Sequence, residues 1–122
     1  MLILIVDDQF REALVERFES EGATVVEAVN GKDAQEKLDA GPRPDVMITD
    51  LNMPVWDGND LVEWVAKQRY LDSMRVCFIT GAKQDISPAA HTRANFIFNK
   101  GTRLKTIANW VYEREDDEFC WS

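Results

Sequence analysis

The stretch VMITDLNMPVWDG, residues 46–58, joins a short apolar run to a turn and places a carboxylate at the junction. Residues 46–49 have the composition of a buried strand, and Asp50 follows them directly. The turn ends in Asp57 and Gly58, a pair that is typical of turns. Asp50 is therefore a candidate functional group at the rim of a strand, and the other strand ends of the chain indicate what it does.

Length and composition limit the classes of protein to consider. A chain of 122 residues with 45% hydrophobic and 30% charged residues predicts one globular domain with a single core. Its net charge of -8 argues against a nucleic-acid partner. No apolar run is long enough to cross a bilayer, and the initial MLILIV lacks the basic region of a signal peptide. Cys77 and Cys120 have no metal-ligand spacing and are expected to be free thiols. We therefore expect a cytoplasmic protein without a membrane partner.

Apolar runs alternate with amphipathic stretches five times along the chain. The first amphipathic stretch places Phe10, Leu14 and Phe18 on one helix face and ends near Gly22. Asn30 is predicted to cap the second helix. Strands that are apolar on both faces and alternate with helices predict a parallel sheet covered on both sides. The predicted strands are LILIV at 2–6, TVVEA at 24–28, DVMIT at 45–49, RVCFI at 75–79 and NFIF at 95–98.

The fourth helix is predicted to be short. Ser87 and Pro88 are typical of an N-cap followed by the first helical residue, and the helix should end by about Asn95. Short helices depend on packing for their stability. We therefore expect the segment 81–95 to respond most strongly to a change at the strand ends.

Polar side chains follow four of the five predicted strands. Asp7 and Asp8 follow the first strand, Asp50 the third, Thr80 the fourth and Lys100 the fifth. Ligands of an open α/β sheet bind at the carboxyl ends of the strands, beside the switch in strand order. Because the second strand offers no such group, we place it at an edge. The predicted fold is a flavodoxin-like, doubly wound (βα)5 α/β domain with a five-stranded parallel sheet in the order 2-1-3-4-5.

The residue types at these strand ends favour phosphoryl chemistry. A pair of carboxylates about 4 Å apart repels by about 4 kcal/mol at an effective dielectric constant of about 20. A divalent cation and a lysine would balance three such charges, and oxygen ligands favour Mg²⁺ or Mn²⁺. Asp50 can act as a nucleophile and form an acyl phosphate. Thr80 would donate to one phosphoryl oxygen and Lys100 would neutralise another.

Taken singly, these residues have plainer interpretations. Asp8 alone is better explained as a helix cap, Lys100 as a solvated lysine and Thr80 as part of a turn. None of these explains why two acids, a hydroxyl and an amine coincide on these strand ends. The combination is the signal.

These motifs resemble the receiver domain of bacterial two-component response regulators over nearly the whole chain. The matching features are the acidic pair, the segment TDLNMPVWDG, the hydroxyl residue and the lysine: Asp7, Asp8, Asp50, Thr80 and Lys100. The resemblance implies that Asp50 accepts a phosphoryl group from the phosphohistidine of a histidine kinase or from a histidine phosphotransfer protein. It also implies a Mg²⁺ site formed by the acidic pair, Asp50 and the carbonyl of Asn52, with Thr80 as the switch hydroxyl.

The chain departs from the family pattern in the region before and after the lysine. Gly101 stands where the family usually has proline. Ile97, between Phe96 and Phe98, stands where the family commonly has an aromatic switch residue. The interval from Thr80 to the lysine is also slightly short.

We interpret residues 1–115 as a stand-alone receiver domain and 116–122 as an acidic and aromatic tail. The expected function is a signalling switch whose only chemistry is its own phosphotransfer and dephosphorylation, with a downstream protein target and a homodimer on activation as expected partners. A pseudo-receiver that binds partners constitutively is an alternative, as is a receiver fragment of a longer regulator. A phosphatase acting on external substrates is disfavoured, because Asn52 occupies the position of that class's second aspartate.

Two further residues lie outside this set. His91, the only histidine, is expected on the surface of the short fourth helix. Trp56 lies in the loop beside Asp50, where it would serve either as a partner contact or as a lid over local apolar surface.

Overall fold

The computed structural model describes residues 1–7 and 11–114, and its centre is a five-stranded parallel sheet. The strand order is β2-β1-β3-β4-β5, which confirms the predicted doubly wound topology. The predicted tail at 116–122 and the position of Phe10 on the first helix lie outside the described residues. The strands are β1 Leu2–Val6, β2 Thr24–Ala28, β3 Val46–Asp50, β4 Arg75–Thr80 and β5 Phe96–Asn99.

In residues 1–7 and 11–114, five helices connect and follow these strands. In addition, 3₁₀ turns at Arg69–Leu71 and Lys83–Asp85 precede and follow β4, and neither was predicted. Within the described part of the chain, none of the helices has the length and apolar character that a bilayer crossing requires. The helices are α1 Arg11–Ser20, α2 Gly31–Ala40, α3 Gly58–Ala66, α4 Pro88–Arg93 and α5 Leu104–Val111.

Two strands lie one residue later than predicted, and this matters at β3. The prediction began β3 at Asp45, but that side chain instead accepts a hydrogen bond from the backbone of Leu2 at 2.8 Å, ahead of the strand. At the other end, Asp50 is a full member of the strand and pairs in register with Ile79 of β4. β5 likewise spans 96–99 rather than 95–98. Asp50 is therefore held by the sheet ladder and not by a loop.

The alternation of side chains along the strands divides the core into two layers. One layer packs against α2, α3 and α4 and contains Leu4, Met47 and Phe78. The other packs against α1 and α5 and contains Ile5 and Cys77. Burial raises the pKa of the Cys77 thiol, which lies at the centre of the sheet. Both faces of the sheet are covered, as a parallel sheet requires.

The predicted helix starts at Asn30 and Ser87 are confirmed. The side chain of Asn30 accepts from the backbone of Asp33 at 2.8 Å and so caps α2. Ser87 caps α4 in the same way, with Pro88 as the first helical residue. α4 has only six residues, and its His91 is exposed, as expected.

Candidate functional site at the carboxyl ends of the strands

The parallel sheet brings four of the predicted site residues to one edge. Asp7 follows β1, Asp50 ends β3, Thr80 ends β4 and Lys100 follows β5. The first three are buried, with exposed fractions of 5%, 3% and 0%, whereas Lys100 is partly exposed. Buried polar groups need hydrogen-bonding or ionic partners. The partners of these side chains define the site.

The carboxylate of Asp50 is held on both oxygens. Its Oδ1 accepts a hydrogen bond from the backbone N–H of Leu51 at 2.7 Å. Its Oδ2 accepts from Nζ of Lys100 at 3.2 Å. The lysine reaches Asp50 across β4, over 50 residues of sequence. The structure thus brings two of the predicted site residues into contact.

The electrostatic environment of Asp50 disfavours its charge. Burial raises the pKa of the Asp50 carboxyl above its ordinary value, and the negative charge of Asp7 raises it further. The hydrogen bond from Leu51 and the charge and hydrogen bond of Lys100 lower the pKa, but burial outweighs them. Lys100 alone therefore does not compensate the negative charge of an ionised Asp50, and a further cation nearby would stabilise it.

Asp7 is fixed through its backbone. Its N–H donates to the carbonyl of Ala28 at 3.1 Å, and its carbonyl accepts from Nη1 of Arg11 at 2.7 Å. Nε of Arg11 in turn donates to Glu27 of the neighbouring strand at 2.9 Å. The ends of β1 and β2 and the first residue of α1 are thus tied together around Asp7.

The oxygen donors at this edge fit a hard divalent cation. In residues 1–7 and 11–114, no three His, Cys, Asp or Glu side chains are grouped as a metal site. Asp8, one of the predicted ligands, lies outside those ranges. The buried carboxylates of Asp7 and Asp50 supply two oxygen ligands, and the exposed Asn52 follows two residues after Asp50. An oxygen-only donor set beside an under-compensated carboxylate suits Mg²⁺.

Thr80 links β4 to the segment that follows it. Its Oγ1 accepts a hydrogen bond from the backbone N–H of Ala82 at 3.0 Å. Its carbonyl accepts from the backbone N–H of Lys100 at 3.2 Å. The hydroxyl proton is not used in the bond to Ala82, so Thr80 retains a donor for a group on Asp50.

The backbone conformation at Gly101 explains why a glycine follows Lys100. Gly101 has φ +92, in the left-handed region that favours glycine. Proline fixes φ near -65° and could not adopt this backbone. A glycine at position 101 therefore fits the turn that this chain makes after β5.

The loop after Asp50 is packed on both sides. The N–H of Gly58 donates to the carbonyl of Leu51 at 2.7 Å, which closes the loop onto the end of β3. Trp56 is half-buried, its carbonyl accepts from the N–H of Gly31 at 2.9 Å, and Nζ of Lys32 lies 5.1 Å from its ring centroid. Of the two roles considered for Trp56, this packing favours the lid.

Aromatic side chains form a cluster on the outer side of β5. The rings of Phe96 and Phe98 lie 4.6 Å apart, which confirms that they share one face of the strand. Trp110 of α5 lies 5.9 Å from the Phe96 ring and carries the Arg75 guanidinium over its own ring at 4.1 Å. Phe96 is 45% exposed, so the cluster reaches the surface.

Sequence reasoning missed two hydrogen-bonding residues of α3. Asn59 and Glu63 bond to the segment before α4, through the backbone of Asp85 and through the backbone and hydroxyl of Ser87. No motif identifies these contacts, because they depend on the packing of α3 against α4. The only sequence signal is the position of Asn59 directly after the turn glycine Gly58.

Comparison with known proteins identifies the family. The family described as the response regulator receiver domain matches residues 3–111. The chain belongs to this family. Receiver domains are signalling domains of two-component systems. The Chemotaxis protein CheY1 of Helicobacter pylori is 35% identical over 100 residues, which cover 78% of this chain and 81% of that protein.

A second relative is much longer than this chain. The Regulator of RpoS of Escherichia coli is 40% identical over 89 residues, which cover 71% of this chain but 26% of that protein. The chain thus corresponds to about a quarter of that relative.

Solved structures show the same fold. The response regulator TrrA of Thermotoga maritima, in complex with Mg²⁺ and beryllofluoride, is 26% identical with a TM-score of 0.80. That match covers 92% of this chain and 96% of the other. The receiver domain of a signal transduction histidine kinase from Syntrophus aciditrophicus is 28% identical with a TM-score of 0.77, over 92% and 87% of the two chains.

Proposed function

We propose that this receiver domain is a phosphorylation-dependent signalling switch with Asp50 as its phosphoacceptor. The donor is the phosphohistidine of a cytoplasmic histidine kinase or histidine phosphotransfer protein. The observation that carries the proposal is the contact of 3.2 Å between Asp50 Oδ2 and Lys100 Nζ at the ligand-binding edge of the sheet. Burial raises the pKa of the Asp50 carboxyl, and one lysine faces it. Such a carboxylate is suited to receive a phosphoryl group that arrives together with a cation.

The transfer is a nucleophilic substitution at phosphorus. A carboxylate oxygen of Asp50 attacks, the P–N bond to the donor imidazole breaks, and the electron pair leaves with the imidazole nitrogen. The product is an acyl phosphate. In this proposal Lys100 neutralises one phosphoryl oxygen, and the hydroxyl of Thr80 donates a hydrogen bond to another. Hydrolysis of the acyl phosphate by water then resets the switch.

Asp7, Asp8, Asp50 and the carbonyl of Asn52 would hold Mg²⁺, with Mn²⁺ as a substitute. When bound, the cation would balance the negative charge that gathers at this edge. The chain's own contribution is the rigid placement of its oxygens. The ladder pairing of Asp50 with Ile79 and the ties on Asp7 set the positions of two carboxylates before any ligand arrives.

The output of the switch is a change in protein binding, and a surface near the edge strand β5 would anchor the partner. The aromatic cluster of Phe96, Phe98 and Trp110 lies there, with Phe96 half exposed. Large aromatic side chains at a surface are favourable anchors for a protein partner. A downstream protein or a second copy of this chain is the proposed partner on activation.

Labelling with a small phosphodonor tests the proposal directly. Incubation with phosphoramidate and Mg²⁺ should add one phosphoryl group to the wild type, measured by intact mass, and the adduct should be acid-labile. Asp50→Asn should take none. Asp72→Asn makes the same chemical change in the loop before β4, at the opposite edge of the sheet, and should label like the wild type.

Two outcomes would contradict the assignment. Persistent labelling of Asp50→Asn would show that another residue is the acceptor. A wild type that takes no label, although the Asp72→Asn protein and the wild type are both folded, would instead favour a pseudo-receiver that binds its partners constitutively.

A further inference from the structure

Asn59 fixes the chain immediately before α4 to the start of α3. Its Nδ2 donates to the carbonyl of Asp85 at 2.9 Å, and its Oδ1 accepts from the N–H of Ser87 at 2.9 Å. The residue between them, Ile86, is buried in the core layer that packs against α3 and α4. One side chain therefore holds the backbone on both sides of a buried anchor.

A second side chain of α3 strengthens the same attachment. Oε2 of Glu63, one helical turn after Asn59, accepts from the hydroxyl of Ser87 at 2.6 Å. The same hydroxyl caps α4 by accepting from the N–H of Ala90. The first turn of α4 is thus bound to α3 as well as to itself.

The anchor on α3 is continuous with the phosphoacceptor strand. Asn59 follows Gly58, and Gly58 is hydrogen-bonded to Leu51, the residue after Asp50. Gly58 also packs directly on the carbonyl of Asp50. A shift of Asn59 relative to Asp50 would therefore disturb the end of β3 itself.

The segment between the switch hydroxyl and this anchor is held more weakly. The N–H of Ala82 donates to Thr80 Oγ1, and the carbonyl of Ala82 accepts from the N–H of Asp85 at 2.9 Å in the 3₁₀ turn. The side chains of the turn, Lys83–Asp85, are exposed, and so is Gly81. Backbone with few buried contacts is where local opening costs least.

We propose that Asn59 is a positioning residue that confines the response to phosphorylation to residues 81–85. This inference rests on the proposed function, because it concerns what a phosphoryl group on Asp50 moves. When Thr80 turns its hydroxyl toward that group, the bond to Ala82 is strained and the 3₁₀ turn rearranges. The bonds of Asn59 to Asp85 and Ser87 stop the rearrangement there, so α4 keeps its place. The sequence predicted a response over residues 81–95, and this inference narrows that response to residues 81–85.

A consequence is that the changing surface is polar. The exposed side chains of the responding turn are Lys83, Gln84 and Asp85, not the apolar residues beneath α4. A partner that reads the phosphorylated state at this turn would present charged and hydrogen-bonding groups to it.

Residue-resolved amide exchange by NMR, with and without Mg²⁺ and beryllofluoride, tests the inference. In the wild type the ligand should change exchange at Ala82, Asp85 and Ile86, and should leave the helical amides of His91 and Ala94 unchanged. In Asn59→Ala without ligand, exchange at Ser87 should be roughly tenfold faster, because both anchoring bonds are lost. Addition of the ligand should then extend the change to His91 and Ala94.

Two further variants separate anchoring from a general loss of stability. Glu63→Ala removes the partner of the Ser87 hydroxyl but leaves both bonds of Asn59, so its ligand response should remain confined. Asn59→Asp keeps an acceptor for the N–H of Ser87 but has no donor for the carbonyl of Asp85. Its response should spread less than that of Asn59→Ala. Phosphoramidate labelling should be the same in all three, since neither Asn59 nor Glu63 contacts Asp50.

The inference is overturned if His91 and Ala94 respond in the wild type as strongly as Ala82. It is also overturned if Asn59→Ala keeps the response confined, or if Glu63→Ala spreads it equally. In each of these cases normal labelling of Asp50 leaves the proposed function standing. A wild type that takes no label overturns the proposed function and this inference together.

Discussion

Gly58 lies so close to Asp50 that a Cβ on its Cα would come within 2.4 Å of the Asp50 carbonyl oxygen. The same Cβ would lie 2.8 Å from the ring of Phe78 and 3.0 Å from Cα of Leu51. Backbone atoms of β3 cannot give way without moving Asp50. We therefore expect Gly58→Ala to lower the free energy of unfolding by about 1–3 kcal/mol and to slow labelling by phosphoramidate, measured by chemical denaturation and intact mass.

Gly81 provides the matched control for that substitution. A Cβ there would meet nothing within 4 Å, and its φ lies outside the left-handed region. Gly81→Ala should be neutral or slightly stabilising, because alanine restricts the unfolded chain. Equal losses of stability in the two variants would show that the contact between Gly58 and the strand end is unimportant.

Asp50→Asn should make the protein more stable near neutral pH in the absence of metal. Because burial raises the pKa of Asp50, the folded state holds this proton more tightly than the unfolded state does. The stability of the wild type must therefore fall as pH rises from the ordinary carboxyl pKa through the raised one, and the loss persists above it. The midpoint of thermal unfolding in EDTA should favour Asp50→Asn at pH 7, and the difference should shrink toward pH 4. A difference that grows with acidification would contradict the sign of the shift.

Magnesium should stabilise the wild type by mass action, and Asp8→Ala should abolish the effect. Without metal, Asp8→Ala should be no less stable than the wild type, because it removes repulsion from an acidic pair. Thermal melts across a magnesium series measure both effects, with the same series on Asp72→Asn as the control. An unchanged midpoint in wild type at saturating magnesium would count against a cation site at this edge.

Val55→Asn should raise the free energy of unfolding by about 0.5–1 kcal/mol. Val55 has φ +68, a left-handed backbone that is costly for a β-branched side chain and tolerated by asparagine. The side chain is 75% exposed, so little packing is lost. Val29→Asn is the control, because Val29 is also exposed but is not left-handed. A gain confined to Val55→Asn supports strain relief, and a loss in that variant would show that the valine makes a needed contact.

The features predictable from sequence are those with local or repeated signals. Five apolar runs with helical stretches between them predicted the parallel sheet, and the polar residues after four of the strands predicted the strand order. The side chains of Asn30 and Ser87 marked their helix starts. The end of β3 was misplaced by one residue because membership of Asp50 in the strand depends on its pairing with Ile79. That pairing lies in another part of the chain and leaves no local pattern.

At the site, residue types were more predictable than contacts. Asp50 and Lys100 were expected together because parallel strands end at one edge, and they lie 3.2 Å apart. The role of Asn59 could not be anticipated, since an asparagine at the start of a helix is usually a solvated or capping residue. The short turn at Lys83–Asp85 also went unseen, because three residues are too few to show a period.

The native thiol of Cys77 can report on the opening of the sheet. This thiol lies on β4 between β3 and β5, has no exposed surface, and has a raised pKa. Alkylating reagents attack the thiolate. Because the Cys77 thiol is buried and its pKa is raised, it can react only when the sheet separates. In a Cys120→Ser variant, the alkylation rate of Cys77 therefore reports how often the sheet opens under native conditions. Strand β3, which ends in Asp50, pairs with the strand that carries this thiol, so a ligand that binds at Asp50 and tightens the sheet should slow the alkylation.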